Sequence, residues 1–184
     1  MAMLLFTSRT TSNAKAVMLS NHNVAANVYG LDVHLDQLVT KEDVNLAFLP
    51  FHHTFGITGT TLTMYFGCTN VFCDGLKYIA DNLVEYKVSL FITVPLLLEA
   101  MQKKILKAAE KTGKLPLLKL MMKVSNGLNK IGIDVRRKLF KSVLDQLGGA
   151  LRLAVVGAAP IDAEVGKFYD SLGILAIQGY GLTE

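Results

Sequence analysis

Cysteine is scarce in this sequence, long apolar runs are missing, and several common catalytic signatures are absent. Only Cys68 and Cys73 occur, without nearby histidine ligands, so no zinc site is expected. Nothing else suggests secretion, and reduced, buried, structural thiols are the reading taken. The strongest apolar run, Leu90 to Leu98, is too short to span a bilayer. No basic segment followed by a long apolar one opens the chain, so no secretory signal is read. A cytoplasmic location follows as the expectation, with peripheral membrane contact as an option. There is no Gly-x-x-x-x-Gly-Lys-Ser/Thr loop, no Gly-x-Ser-x-Gly elbow and no dinucleotide glycine pattern. A hydrolase nucleophile is therefore unsupported. Internal repeats and low-complexity tracts are also missing.

What is present is a core. With 184 residues, 51% hydrophobic and 18% charged, the chain can bury one sizeable domain and is far from disorder. The net charge of +4 is unevenly placed: Lys103 to Lys141 holds twelve basic residues against Glu110 and Asp134. Such a block suits a surface that meets phosphates or an anionic membrane. A solvated helical face is the plainer account. No nucleic-acid partner is expected.

The most informative stretch is LLFTSRTTSNAKAVMLSNHN, Leu4 to Asn23. Two apolar runs flank a loop of hydroxyl side chains, with Lys15 just beyond it. Hydroxyls, backbone N–H groups and a lysine can together cradle phosphate oxygens. A polar turn between two strands accounts for the same residues.

Further along, the expected elements alternate. Ser20 caps a helix from Asn21 to about Tyr29, ended by Gly30, and residues 31–43 read as a connection. Strands are expected at Asn45–Leu49, Thr69–Cys73, Ser89–Val94, Leu151–Val156 and Ile174–Gln178. Helices are expected at Thr54–Phe66, at Leu76–Tyr86 capped by Asp74, from Pro95 to about Lys111, and at Leu117–Lys130. Another, capped by Asp134, carries the stripe Val135, Leu139, Phe140, Val143, Leu144 and Leu147. The last, capped by Asp162, reaches Leu172. This alternation predicts an α/β fold with a mainly parallel sheet flanked by helices. Ligands in such sheets bind beyond the carboxyl ends of the strands. Three loops leave those ends: Pro50–Phe55, Gly157–Pro160 and Gly179–Glu184.

Each loop carries candidates. Gly157, Ala158, Ala159 and Pro160 form a small-residue turn that a flat ligand can approach closely, though small turns after strands are common. Gly179 and Gly181 flank Tyr180, whose ring suits stacking on a base, and Thr183 and Glu184 could reach phosphate and magnesium. A packed surface tyrosine and a solvated glutamate are the alternatives. His52 and His53 follow Pro50, where a histidine is more often a hydrogen-bonded structural group than a catalyst.

Taken in order, the four stretches resemble the adenylate-forming enzymes, the superfamily of acyl-CoA synthetases, luciferases and peptide-synthetase adenylation domains. FTSRTTSNAKAVMLSNHN resembles the family's phosphate loop, LPFHHTFG its next motif, GAAP its adenine-contact turn and QGYGLTE its magnesium and adenine motif. The basic insertion that includes GIDVRRKLF resembles the long-chain fatty acid branch. The resemblance implies two steps: a fatty acid carboxylate attacks the α-phosphate of ATP, then coenzyme A displaces AMP from the acyl-adenylate. It implies that Thr7, Ser8, Thr10, Thr11 and Lys15 hold the β- and γ-phosphates. Gly157, Ala158, Ala159, Pro160, Gln178, Gly179, Tyr180 and Gly181 would form the adenine side. Thr183 would touch phosphate, Glu184 would hold Mg2+, and His53 would border the reacting carboxylate. His53, Lys15, Thr183 and Glu184 are thus the catalytic candidates.

Two departures qualify the expectation. Family glycines of the phosphate loop are Arg9 and Ser12 here, and a usual Pro-Lys-Gly is Ala14-Lys15-Ala16. If the glycines serve positive φ or close approach, side chains there cost on the order of 1 kcal/mol. Weak nucleotide affinity follows as the expectation. The chain also stops at the magnesium glutamate, before the family's ribose-binding aspartate, hinge and C-terminal domain. Residues 1–184 are therefore expected to be a core fragment of the AMP-binding domain that does not turn over unaided and that self-associates through exposed apolar surface.

Overall fold

The computed structural model describes residues 1–7 and 15–183. Ser8, Arg9, Thr10, Thr11, Ser12, Asn13, Ala14 and Glu184 lie outside the described residues, and with them most of the expected phosphate loop. Its two flanking strands are described. β1 (Met3–Thr7) and β2 (Lys15–Leu19) pair antiparallel, with Thr7 opposite Lys15. The chain then enters α1 (Asn21–Leu35) through a capping box. The Ser20 hydroxyl accepts from the Asn23 N–H, and the Asn23 side chain accepts from the Ser20 N–H at 2.9 Å. Gly30 does not end this helix. A Cβ there would meet nothing within 4 Å, so the glycine rides on an open face and costs only its propensity, about 1 kcal/mol.

Five parallel strands form the main sheet: β3 (Val44–Ala47), β4 (Thr69–Phe72), β5 (Leu90–Thr93), β6 (Leu153–Val156) and β7 (Leu175–Gln178). Their order is β4-β3-β5-β6-β7. The chain leaves β3 outward to β4, then returns to the other side of β3 as β5. The strand order therefore reverses between β3 and β5, and in open parallel sheets ligands bind beyond the carboxyl ends at such a point.

Helices cover both faces. α1 and α2 (Thr54–Tyr65) bury Val28, Leu35 and Leu62 against Leu90, Ile92 and Leu153. On the opposite face lie α3 (Ile79–Glu85), α4 (Pro95–Lys111) and α8 (Ala163–Ser171), packed on Leu46, Phe91, Ala154 and Val156. Alternate residues of β5 thus feed opposite cores, which explains its continuous apolar run. Tyr169 is fully buried and its hydroxyl donates to the Leu98 carbonyl at 2.8 Å, tying α8 to α4.

Two expected caps differ. Asp74 caps no helix: its carboxylate accepts from the Asn82 amide at 2.7 Å, and a single 3-10 turn, Leu76–Tyr78, precedes α3. Between β5 and β6 the chain runs through α4 and α5 (Leu115–Lys130), then two short helices, α6 (Arg136–Leu139) and α7 (Lys141–Asp145). The single helix expected after Asp134 is thus broken at Phe140, although Asp134 does accept from the Arg136 N–H at 3.0 Å.

The arginines of this segment are bound into the fold. Arg136 pairs with Asp134 and Asp170 at 2.8 and 2.9 Å. Arg137 donates to the carbonyls of Leu151, Gly173 and Gly149, and burial pulls its pKa down. At the amino-terminal edge of the sheet, Asp43 is 3% exposed and accepts from Ser89, the Thr40 N–H and Arg152. Burial pushes the Asp43 carboxyl up, but these donors outweigh it and the net pKa is lowered. The cysteines are free and half-buried rather than buried, and each thiol lies within hydrogen-bond reach of a nearby carbonyl.

Candidate functional site

The carboxyl edge of the parallel sheet gathers three of the four motif stretches. After β3 the chain turns through Pro50, and the His53 N–H donates to the Pro50 carbonyl at 3.1 Å. α2 begins at once with Thr54, Phe55 and Gly56. Gly56 is forced by space: a Cβ would stand 2.4 Å from the Pro50 carbonyl oxygen. His52 and His53 are exposed, their rings 4.3 Å apart. Phe51 leans toward Phe72 at the end of β4, with centroids 6.1 Å apart.

The turn after β6 meets this one. A Cβ on Gly157 would approach the outer tip of the Phe55 ring to 2.7 Å, so the glycine makes room for the ring. The Gly157 N–H donates to the Thr93 carbonyl at 3.1 Å, which fixes the turn to the end of β5. Ala158 has φ of +68°, a conformation that costs a non-glycine residue about 1 kcal/mol or more. Ala158, Ala159 and Pro160 are exposed. The Gln178 side chain accepts from the Ile161 N–H at 3.2 Å, and the Gly179 N–H donates to the Val156 carbonyl at 2.8 Å. The loops after β6 and β7 are thereby coupled. Beyond them Tyr180 is 89% exposed, Gly181 is exposed and Thr183 is half-buried.

Strand-end geometry thus brings together His53, Gly157 to Pro160, Gln178 and Gly179, with Tyr180, Gly181 and Thr183 continuing the same loop. The hairpin is a separate element joined to the sheet through α1. α1 packs along α2, where the Tyr65 hydroxyl donates to Asp32 at 3.1 Å. No hydrogen bond or ion pair among the described residues links Thr7 or Lys15 to the carboxyl edge.

Two residues of this edge went unread in the sequence. Phe55 shapes the contact between the first two loops; its place between the histidines and Gly56 was the available signal. Thr93 ends β5 with a buried hydroxyl that has no partner among the described residues. A fully apolar strand reading concealed it.

Ala158, Ala159, Pro160 and the Tyr180 ring are exposed along this edge. A cation is less well provided for. No group of three His, Cys, Asp or Glu side chains converges among the described residues, and the one nominated ligand, Glu184, lies outside them. No described helix is long and apolar enough to cross a membrane.

Comparison with known proteins places this arrangement. The sequence model of the family described as AMP-binding enzyme matches residues 1–184. Long-chain-fatty-acid--CoA ligase 5 of Rattus norvegicus is 29% identical over 194 residues, covering 100% of this chain and 28% of its own length. Long chain acyl-CoA synthetase 1 of Arabidopsis thaliana is 30% identical over 207 residues, covering 98% of this chain and 30% of its own length. Among solved structures, the inhibitor-bound N-terminal domain of FACL13 from Mycobacterium tuberculosis superposes with a TM-score of 0.67 at 20% identity. It covers 98% of this chain and 36% of that one. ATP-bound MatB from Rhodopseudomonas palustris gives 0.61 at 21% identity, over 98% of this chain and 29% of that one. The chain spans less than a third of the length of these curated relatives.

Proposed function

This chain belongs to the AMP-binding enzyme family, and from that membership we propose that residues 1–184 form the core of a large adenylate-forming domain in an ATP-dependent acid–thiol ligase. Its acid is a long-chain fatty acid and its thiol is coenzyme A. The observation that carries the reading is the close approach of Phe55 to Gly157, together with the hydrogen bond from the Ile161 N–H to the Gln178 side chain, at the carboxyl edge. These contacts support a site in which the motif stretches after β3, β6 and β7 lie beside the reversal point of the sheet. The names of the relatives and the basic insertion support the long-chain branch.

In this reading the Tyr180 ring stacks on adenine, while Gly157 to Pro160 and Gln178 to Gly181 border it. Thr7, Ser8, Thr10, Thr11 and Lys15 donate to the β- and γ-phosphates, and Thr183 to a phosphate oxygen. His53 borders the reacting carboxylate. A carboxylate oxygen attacks the α-phosphorus, the bond to the bridging oxygen breaks, and pyrophosphate leaves. The thiol of coenzyme A then attacks the acyl carbon and AMP departs, with the thiol proton released. Donors aimed at the five-coordinate phosphorus supply charge stabilisation, which is most of what such a step asks of a protein. A bound Mg2+ held by Glu184 would neutralise phosphate charge.

A non-hydrolysable acyl-adenylate analogue tests the site by calorimetry. Binding that weakens in Tyr180→Ala and strengthens with acyl length is expected; an analogue that fails to bind sinks the assignment. The core-segment reading predicts no fatty-acid-dependent pyrophosphate release from this polypeptide alone, and such release would overturn it.

A further inference from the structure

The helices between β5 and β6 enclose a groove that the ligase reading does not use. α6 ends and α7 begins at Phe140, which is fully buried. With Ile105 of α4 and Leu118 of α5, each 7% exposed, Phe140 floors a groove of about 430 Å³. Small-ligand sites span roughly 300–1,000 Å³. α4 starts at Pro95, just past the carboxyl end of β5, and reaches the groove only at Ile105. At about 1.5 Å per helical residue, the groove lies roughly 15 Å or more from the carboxyl edge. It is therefore not part of the candidate site.

The lining has one charged residue, Lys114. Two of its other polar groups are already engaged. The Thr112 hydroxyl donates to the carbonyls of Ala108 and Ala109 at 3.1 Å, and the Gln146 amide donates to the Ser142 carbonyl at 3.2 Å. Lys114 is exposed and makes no ion pair among the described residues. It also occupies the N-cap position of α5, whose first turn holds no acidic residue and no side-chain cap. The ammonium group and the positive end of the helix thus lie at one end of the groove. Glu110 does not line it, and Asp145 is held by Lys141 at 2.7 Å.

An apolar trough with a single cation at one end is complementary to an apolar chain that ends in one negative charge. A nucleotide would set several charges against hydrocarbon, which is costly. A neutral chain would leave Lys114 unmatched. Met121 in the wall adds a flexible thioether that adapts to a chain's shape. We propose that this groove is a second small-ligand site that takes an amphipathic monoanion, its chain lying over Phe140 and its carboxylate at Lys114. The inference does not rest on the ligase reading.

Calorimetric titration of the full chain with decanoate, kept below micelle formation, tests it, and methionine methyl NMR locates the ligand. Saturable binding that shifts the Met121 resonance is expected. Octanoate should bind on the order of fifteen-fold more weakly, at about four-fold per buried methylene. Lys114→Gln should lower decanoate affinity about two- to five-fold, the range for an exposed ion pair, and leave decanol binding unchanged. Ala108→Trp, which puts an indole into the groove, should abolish the binding of both. Ala108 and Lys114 are exposed, and unchanged circular dichroism and melting confirm that each variant is folded. No saturable binding, decanoate binding that survives Ala108→Trp, or an equal response of decanoate and decanol to Lys114→Gln overturns the proposal. Binding kept in Ala108→Trp but lost in His53→Ala would lie at the carboxyl edge instead. A dimer that Ala108→Trp dissociates, in a chain that ignores decanoate, would make the groove an interface between copies and also overturn it.

Discussion

Gly157 leaves no room for a methyl group beside the ring of Phe55: a Cβ there would stand 2.7 Å from the ring's outermost carbon. The contact joins the turn after β6 to the start of α2, two stretches more than a hundred residues apart in the chain. Gly157→Ala should therefore destabilise the domain by about 1–3 kcal/mol, the range for overpacking a fitted site. Phe55→Leu should relieve part of that loss. A double-substitution cycle by urea unfolding should show coupling, and strict additivity would mean that the contact is slack.

The buried carboxylate at the other edge of the sheet sets the acid limit of stability. The pKa of Asp43 is lowered in the folded chain, and Asp134 is held at about 2 by the Arg136 side chain and N–H. A depressed carboxylate contributes stability above its unfolded pKa and loses it as pH falls through the folded one. Unfolding free energy should thus decline as pH drops below the ordinary 3.8 toward about 2. Asp43→Asn should cost about 2 kcal/mol at neutral pH, since Arg152 keeps some solvent, and should flatten that decline. A pH series of urea melts measures both.

Nucleotide affinity should be weak, because Arg9 and Ser12 stand where the resembling loops carry glycine. Arg9→Gly should tighten ATP binding in a calorimetric titration. Tight binding by the unmodified chain would show that the substituted loop is no handicap.

The capping box at Ser20 offers a local test. Ser20→Ala removes the acceptor for the Asn23 N–H and should cost about 1 kcal/mol. The loss should appear in thermal melts, with faster amide exchange in the first turn of α1.

Much of the fold could be read from residue patterns because its strands are short, apolar and punctuated. Leu90–Thr93, followed by Pro95 at a helix start, is legible without a structure. Strand order is not, since the pattern along one strand says nothing about which strand lies beside it. The reversal between β3 and β5 therefore emerged only in three dimensions. Gly30 misled because a glycine on an open helical face looks the same in sequence as one that ends a helix. Asp74 misled because its carboxylate has a distant claimant in Asn82. At the site, the motif stretches after β3, β6 and β7 announced themselves by small and aromatic residues at strand ends. The Phe55–Gly157 contact and the unpartnered Thr93 hydroxyl did not, as each depends on a neighbour far along the chain. Arg136 and Arg137 read as part of a basic surface and are instead fasteners of the fold.

The register that sets Leu90 beside Leu153 has a kinetic corollary. The strands β3, β4 and β5 can zip together from nearby sequence, whereas β6 must wait while α4 to α7 close a long intervening loop. The seam between β5 and β6 should be the slowest part of the sheet to form. Arg137, reaching from that loop to the carbonyls of Leu151 and Gly173, would act as the latch that holds it shut once made.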